Sequence, residues 1–163
     1  MVNAQKEWES QEIIKVSNLR REQILIRSGE TFKANHVLRE IISNIHSELC
    51  VIDPYMGETF FDIIEGKTGK ISIRIITSAK VSKAALISYE AFRNQYPNTE
   101  MRRLDSEKLH DRYILWDKAH GFHIGHSIKD LGKKDTQLNL LLNPIEQVNL
   151  FEHRWKESTP DLK

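Results

Sequence analysis

Four consecutive apolar residues, Leu49-Cys50-Val51-Ile52, stop abruptly at Asp53-Pro54. A run so short and unbroken marks a strand covered on both faces, because a strand with one wet face alternates apolar and polar residues. The proline biases Asp53 toward extended backbone and ends the strand there. Such a strand needs helices above and below it, and the flanking sequence supplies them. Upstream, Val37, Leu38, Ile41, Ile42 and Ile45 fall at helical spacing behind Thr31, the expected cap. Downstream, residues 58–65 form a short helix, residues 66–69 a turn, and residues 71–77 a strand on which Arg74 points away from Ile71, Ile73 and Ile75. Thr77-Ser78 is placed to cap the next helix, whose stripe of Val81, Ala85, Tyr89, Phe92 and Tyr96 runs to Pro97. An edge strand over residues 22–27, stopped by Ser28-Gly29, precedes these elements. This alternation predicts a parallel or mixed sheet with helices on its faces.

Beyond Pro97 the rhythm changes. Residues 100–104, 112–116, 121–124 and 137–142 form four strands with short connections. Asn143 is placed to cap a last helix, with Pro144 at its first position, Glu146 closing a capping box, and Ile145, Val148, Phe151 and Trp155 facing the sheet. A chain of 163 residues has the length of one domain with its own core. The expected division is an N-terminal arm or helix over residues 1–20, where apolar residues are sparse, and one α/β domain over residues 21–163. The 39% hydrophobic and 29% charged composition argues against both a disordered and a membrane-embedded chain. The lone Cys50 cannot pair within the chain, and the polar first ten residues lack a signal-peptide pattern, so a cytoplasmic protein is expected.

The formal net charge is only +1, so an anion site would have to come from local clustering. Residues 109–134 provide it. His110 and Arg112 are two apart on what is expected to be a strand, and therefore share a face, while Tyr113 and Leu115 take the other. Gly125-His126-Ser127-Ile128-Lys129-Asp130-Leu131-Gly132-Lys133-Lys134 follows a short connection later. A helix opening in that segment would offer free N–H groups beside Lys129, Lys133 and Lys134, an anion cradle.

His110, Arg112 and Asp117 match the H-x-K-x-x-x-x-D spacing of the phospholipase D superfamily, with arginine in place of lysine. The Leu109-His110-Asp111-Arg112 block followed by Gly125 to Lys134 resembles, more specifically, the group that includes the C-terminal domain of microtubule-interacting-and-trafficking proteins and small bacterial phospholipase D-like domains. The resemblance covers roughly residues 22–155, including the Asp53 strand end, and implies a phospholipase D-like single domain with a mixed β-sheet flanked by helices. It implies His110 as nucleophile on phosphorus, Arg112 and Lys129 as phosphate clamps, Ser127 as a donor and Asp117 as the residue holding the motif in place. Lys133, Lys134, Asp53 and Tyr55 complete the expected ligand-binding set. With one histidine motif per chain, the family's two-histidine chemistry implies a homodimer.

Two functions follow. The first is a homodimeric phosphodiesterase acting on nucleic acid. The second is a non-catalytic module holding a phosphate-bearing partner, either nucleic acid or a phosphoinositide membrane surface, as the trafficking relatives imply. Arg112 bears on the choice, because a planar, always-charged fork replaces lysine as a clamp without reproducing its point charge. The asparagine that the family usually carries after the serine is also missing. No metal or cofactor is expected: His120, His123 and His126 are three apart, which alternates faces on a strand, and no cysteine or carboxylate cluster joins them. A Ser127-His110-Asp117 triad lacks the G-x-S-x-G elbow. Asp53 either orients His110 or caps a loop, Tyr55 either lines the site or anchors its loop, and Trp116 is expected in the core.

Overall fold

The computed structural model describes residues 19, 21–67 and 69–160. The arm expected over residues 1–20 lies outside them except for Leu19, which packs partly buried against the core. The elements run β1 (Gln23–Ile26), α1 (Thr31–Ser43), β2 (Glu48–Ile52), α2 (Thr59–Ile64), β3 (Ser72–Thr77), α3 (Lys83–Gln95), β4 (Thr99–Arg103), β5 (Arg112–Trp116), β6 (His120–Ile124), β7 (Thr136–Leu140) and α4 (Ile145–Glu157). All seven strands join one sheet in the order β1-β7-β6-β5-β2-β3-β4. Strands β2, β3 and β4 are parallel, and every other pairing is antiparallel. The fold is an α/β single domain with a mixed sheet flanked by helices, consistent with the architecture that the sequence resemblance implies.

The apolar run Leu49 to Ile52 sits at the centre, where β2 pairs with β3 on one side and β5 on the other. Its alternate residues face opposite ways. Leu49 and Val51 join the larger core under α1, α2 and α3, with Ile73, Ile75, Ile114 and Phe122 from neighbouring strands. Cys50 and Ile52 join the smaller core under α4, with Ile76, Leu115, Phe151 and Trp155. Burial pushes the Cys50 thiol up to about 12, so it stays protonated as apolar filler.

Arg74 shows how α4 is held. It points away from its isoleucine neighbours, as its position on the strand predicts, and toward the α4 side of the sheet. There Nη1 donates to Glu152 Oε2 at 3.0 Å, and the guanidinium lies 5.1 Å from the Phe151 ring centroid and 5.3 Å from that of Trp155. The hydrogen bond to Glu152 holds the guanidinium charged, against the pull of burial.

Several helix starts differ from expectation. Thr31 is the first residue of α1 rather than its cap, and Glu30 occupies the cap position without a side-chain hydrogen bond. Ser82, not Thr77-Ser78, caps α3, its side chain accepting from the Ala85 N–H. The Ser78 hydroxyl donates instead to the Pro54 carbonyl at 2.6 Å, tying the ends of β2 and β3 together. Pro144, one residue later than expected for the boundary, stands at the cap position of α4.

Candidate functional site

The carboxyl end of β2, the start of β5 and the end of β6 meet at one edge of the sheet. Ile52 pairs with Tyr113, and Arg112 pairs with Ile124. Asp53, Arg112 and the turn after Ile124 are therefore neighbours by register alone, at the kind of strand end where open α/β sheets place ligands.

Asp53 organises this corner. Its side chain is fully buried and accepts hydrogen bonds from the Tyr55 N–H at 2.9 Å, the Ile128 N–H at 2.7 Å and the Ser127 hydroxyl at 2.8 Å. Burial lifts its pKa above the usual carboxylate range, opposed by these hydrogen bonds and by the Arg112 charge. Of its two expected roles, the loop-capping one is what the geometry provides. The carboxylate is consumed inside the protein, where it clamps the Ser127-Ile128 turn to the end of β2.

The same contacts change the reading of Ser127. Its hydroxyl is buried, with the Asp53 carboxylate oxygens at 2.8 and 3.0 Å and the Tyr55 carbonyl at 3.1 Å as its acceptors. In this arrangement it positions the turn and does not face outward as a phosphate donor. The segment that follows is not a helix start: residues Ile128–Asp130 make a single 3-10 turn, and Gly132 then adopts φ +82°. A Cβ at Gly132 would lie 2.7 Å from the Thr31 Cα, so glycine is required there both for its dihedral and for close approach to α1. The helical N–H cradle expected for Lys129, Lys133 and Lys134 is therefore absent. Lys129 and Lys133 instead line a cleft beside α1, while Lys134 is exposed and is not among that cleft's lining residues.

What gathers at the corner is a set of cations around one ring. The Lys80 ammonium lies 5.7 Å, the Arg112 guanidinium 5.8 Å and the Lys129 ammonium 5.6 Å from the Tyr55 ring centroid. Lys80 Nζ also approaches the Tyr55 hydroxyl at 3.5 Å. Among the described residues none of the three has a carboxylate within salt-bridge distance, and Arg112 Nε is buried without a hydrogen-bond partner. Three cations around one electron-rich ring, without a carboxylate at contact, are an arrangement that can hold an anion. Lys80 is the member that sequence reasoning missed. The available signal was its place just past β3, the parallel neighbour of β2, at the same sheet edge.

His110 lies outside β5, which begins at Arg112, so alternation along a strand does not fix the two on one face. It is exposed in the connection leading to the strand. Its neighbour Asp111 is held from below by His123, whose Nε2 is 3.2 Å from Asp111 Oδ1. Asp117 is at the other end of the sheet, a strand length of roughly 14 Å away. There its carboxylate accepts from the N–H groups of His46 at 2.9 Å, Ser47 at 2.8 Å and Glu48 at 3.1 Å, and from the Ser47 hydroxyl at 2.9 Å. It pins the α1–β2 connection to the β5–β6 turn and touches nothing at the cationic corner. Trp116 is buried in the larger core, with His120 stacked on it at 5.5 Å. No group of three or more potential metal ligands occurs among the described residues, and none of their helices is long and apolar enough to cross a membrane.

No family model and no curated protein matches the chain. Solved structures do. NucT from Helicobacter pylori superposes with a TM-score of 0.63 at 14% identity, covering 85% of this chain and 98% of that one. The phosphatidylserine synthase of Haemophilus influenzae Rd KW20 gives 0.62 at 14% identity over 84% of this chain and 39% of its own. TrmBL2, an archaeal chromatin protein whose structure shows a novel mode of DNA binding, gives 0.58 at 15% identity over 98% of this chain and 66% of its own. The chain thus matches nearly the whole of NucT but less than two thirds of the synthase and just under two thirds of TrmBL2. At these identities the likeness is one of fold alone.

Proposed function

We propose that this is a phosphodiester-recognising domain that binds the backbone of a nucleic acid at the Tyr55 corner. The observation that carries the reading is the trio Lys80, Arg112 and Lys129 around Tyr55, unpaired by any acid at contact. Clustered, unneutralised cations cost stability through mutual repulsion, and a phosphodiester offsets that cost while releasing counterions from the nucleic acid. One of the structural neighbours, TrmBL2, is described as showing a novel mode of DNA binding, which supports choosing that polyanion over a phosphoinositide surface.

The test is fluorescence anisotropy with labelled dT oligomers of about ten nucleotides, within the usual range of single-strand sites. Lys80→Ala and Arg112→Ala should each weaken binding about fivefold to tenfold near 0.1 M salt and flatten the salt dependence by about 0.7 in log–log slope. Binding unchanged in both variants would overturn the reading, as would tighter binding to phosphoinositide vesicles than to any oligonucleotide.

A second reading, hydrolysis by a homodimer, is favoured by the exposure of His110 two residues from Arg112. In that reaction an imidazole nitrogen attacks phosphorus, the leaving oxygen departs with a proton supplied by the partner's equivalent residue, and water then cleaves the P–N bond. Incubation with labelled DNA or RNA, quenched in denaturing detergent without acid so that the acid-labile P–N bond survives, should trap a phosphohistidine in wild type and none in His110→Ala. Absence of the adduct, together with a monomer by light scattering, leaves the binding function alone standing.

A further inference from the structure

A cleft of about 320 Å³ opens between α1, α2 and the Ile128–Asp130 turn. Its floor is apolar, with Leu38 and Ile128, while Arg39, Lys129 and Lys133 stand on its walls and Asp62 is the one acid lining it. Lys129 belongs to both places, since the same side chain lines this cleft and stands 5.6 Å from the Tyr55 ring. The corner and the cleft are therefore joined through Lys129. On α1, Asn35 and Arg39 line the cleft, and Phe32 lies three and seven residues before them, on the same stripe of the helix. Phe32 is 84% exposed, the most exposed large apolar side chain among the described residues, and stacks only loosely on His36 at 6.3 Å.

An unburied aromatic beside a basic groove is what a single strand uses: cations follow the backbone and rings receive bases. We infer that the cleft carries the continuation of a single-stranded nucleic acid from the Tyr55 corner, with phosphates on Arg39, Lys129 and Lys133 and a base stacked on Phe32. This rests on the reading of the corner, and adds a strand path and a base contact to it. A duplex does not suit a concave groove that presents one line of cations.

The experiment compares a dT dinucleotide, dT oligomers of about ten nucleotides and inorganic polyphosphate, titrated against the full chain by anisotropy or competition. The dinucleotide should be indifferent to the Arg39→Ala/Lys133→Ala double variant, whereas the longer oligomer should bind it about tenfold more weakly, with the salt slope reduced by about 1.4. Phe32→Ala should weaken the oligomer about tenfold and leave polyphosphate unchanged, while Phe32→Leu, which keeps bulk without a stacking face, should behave like alanine. Arg39, Lys133 and Phe32 are all exposed, and a circular-dichroism melt verifies that each variant is folded. If no oligonucleotide binds, or binding ignores Lys80→Ala and Arg112→Ala, the corner fails and the cleft with it. If binding needs the corner but the double variant loses nothing as the oligomer lengthens, the cleft alone is refuted. If oligomer and polyphosphate fall together and Phe32→Ala is silent, the base contact is refuted.

Discussion

Asp53 and Asp117 are both strand-end aspartates that collect backbone N–H groups, yet they pull stability in opposite directions with pH. Asp53 is fully buried, and burial outweighs its hydrogen bonds, so its pKa rises. At Asp117 burial also works upward, but the N–H groups of His46, Ser47 and Glu48 and the Ser47 hydroxyl outweigh it, and the pKa falls. A carboxylate depressed in the folded state contributes stability above its unfolded value, and that contribution is lost as pH falls through the folded one. Asp117→Asn should therefore destabilise the protein by about 1–2 kcal/mol at neutral pH. The gap from wild type should narrow as pH falls below about 4, where the carboxylate protonates first in the unfolded chain and only at lower pH in the folded protein. Thermal melts of both proteins across that range check it. Asparagine is the right probe because Asp117 sits at φ +53°, which asparagine tolerates. At this scale the sequence displayed Asp117 only as one member of a spacing. Its partners lie some seventy residues earlier and could not be read from the motif.

Among elements, the paired strands were legible because buried strands carry continuous or alternating apolar runs that need no partner to be recognised. Leu49 to Ile52 and Ile73 to Ile76 are of this kind. Helix starts were less legible, since Thr31, Ser78 and Asn143 have the right chemistry for a cap but geometry chose Glu30, Ser82 and Pro144. The Ser127 to Lys134 segment misled for a related reason: its polar opening suits a helix start, but the glycine at Gly132 and the clamp from Asp53 shape it as a turn. That turn is also fixed from the other side by Gly57. A Cβ added at Gly57 would fall 2.7 Å from the Lys129 Cβ, near the root of that side chain rather than its flexible end. Gly57→Ala should push the Lys129 turn away from Tyr55, costing about 1–3 kcal/mol in stability and, under the proposed function, several-fold in oligonucleotide affinity. A melt paired with the anisotropy titration reads both, and wild-type affinity in a folded Gly57→Ala protein would show that the turn's position does not govern binding.

Across the whole molecule, the strand–helix alternation led to the expectation of a parallel or mixed sheet, but not to the order β1-β7-β6-β5-β2-β3-β4. Pairing between strands more than twenty residues apart leaves no local trace, so the position of Lys80 just past β3 pointed to the right end of the sheet but not to its approach to Arg112 and Lys129. With a net charge of +1, the molecule lacks a broad field to steer a polyanion, and its attraction is confined to one edge of the sheet. The clamp that Asp53 places on Tyr55, Ser127 and Ile128 then has a kinetic meaning. The chain ordering that a ligand would otherwise impose on arrival has already been done by folding. Under the proposed function, association at the corner should therefore follow a single exponential in stopped flow, with a rate rising linearly with oligonucleotide concentration and no plateau from a slow rearrangement. Loosening the clamp by Asp53→Asn should introduce such a plateau while the encounter itself keeps its speed.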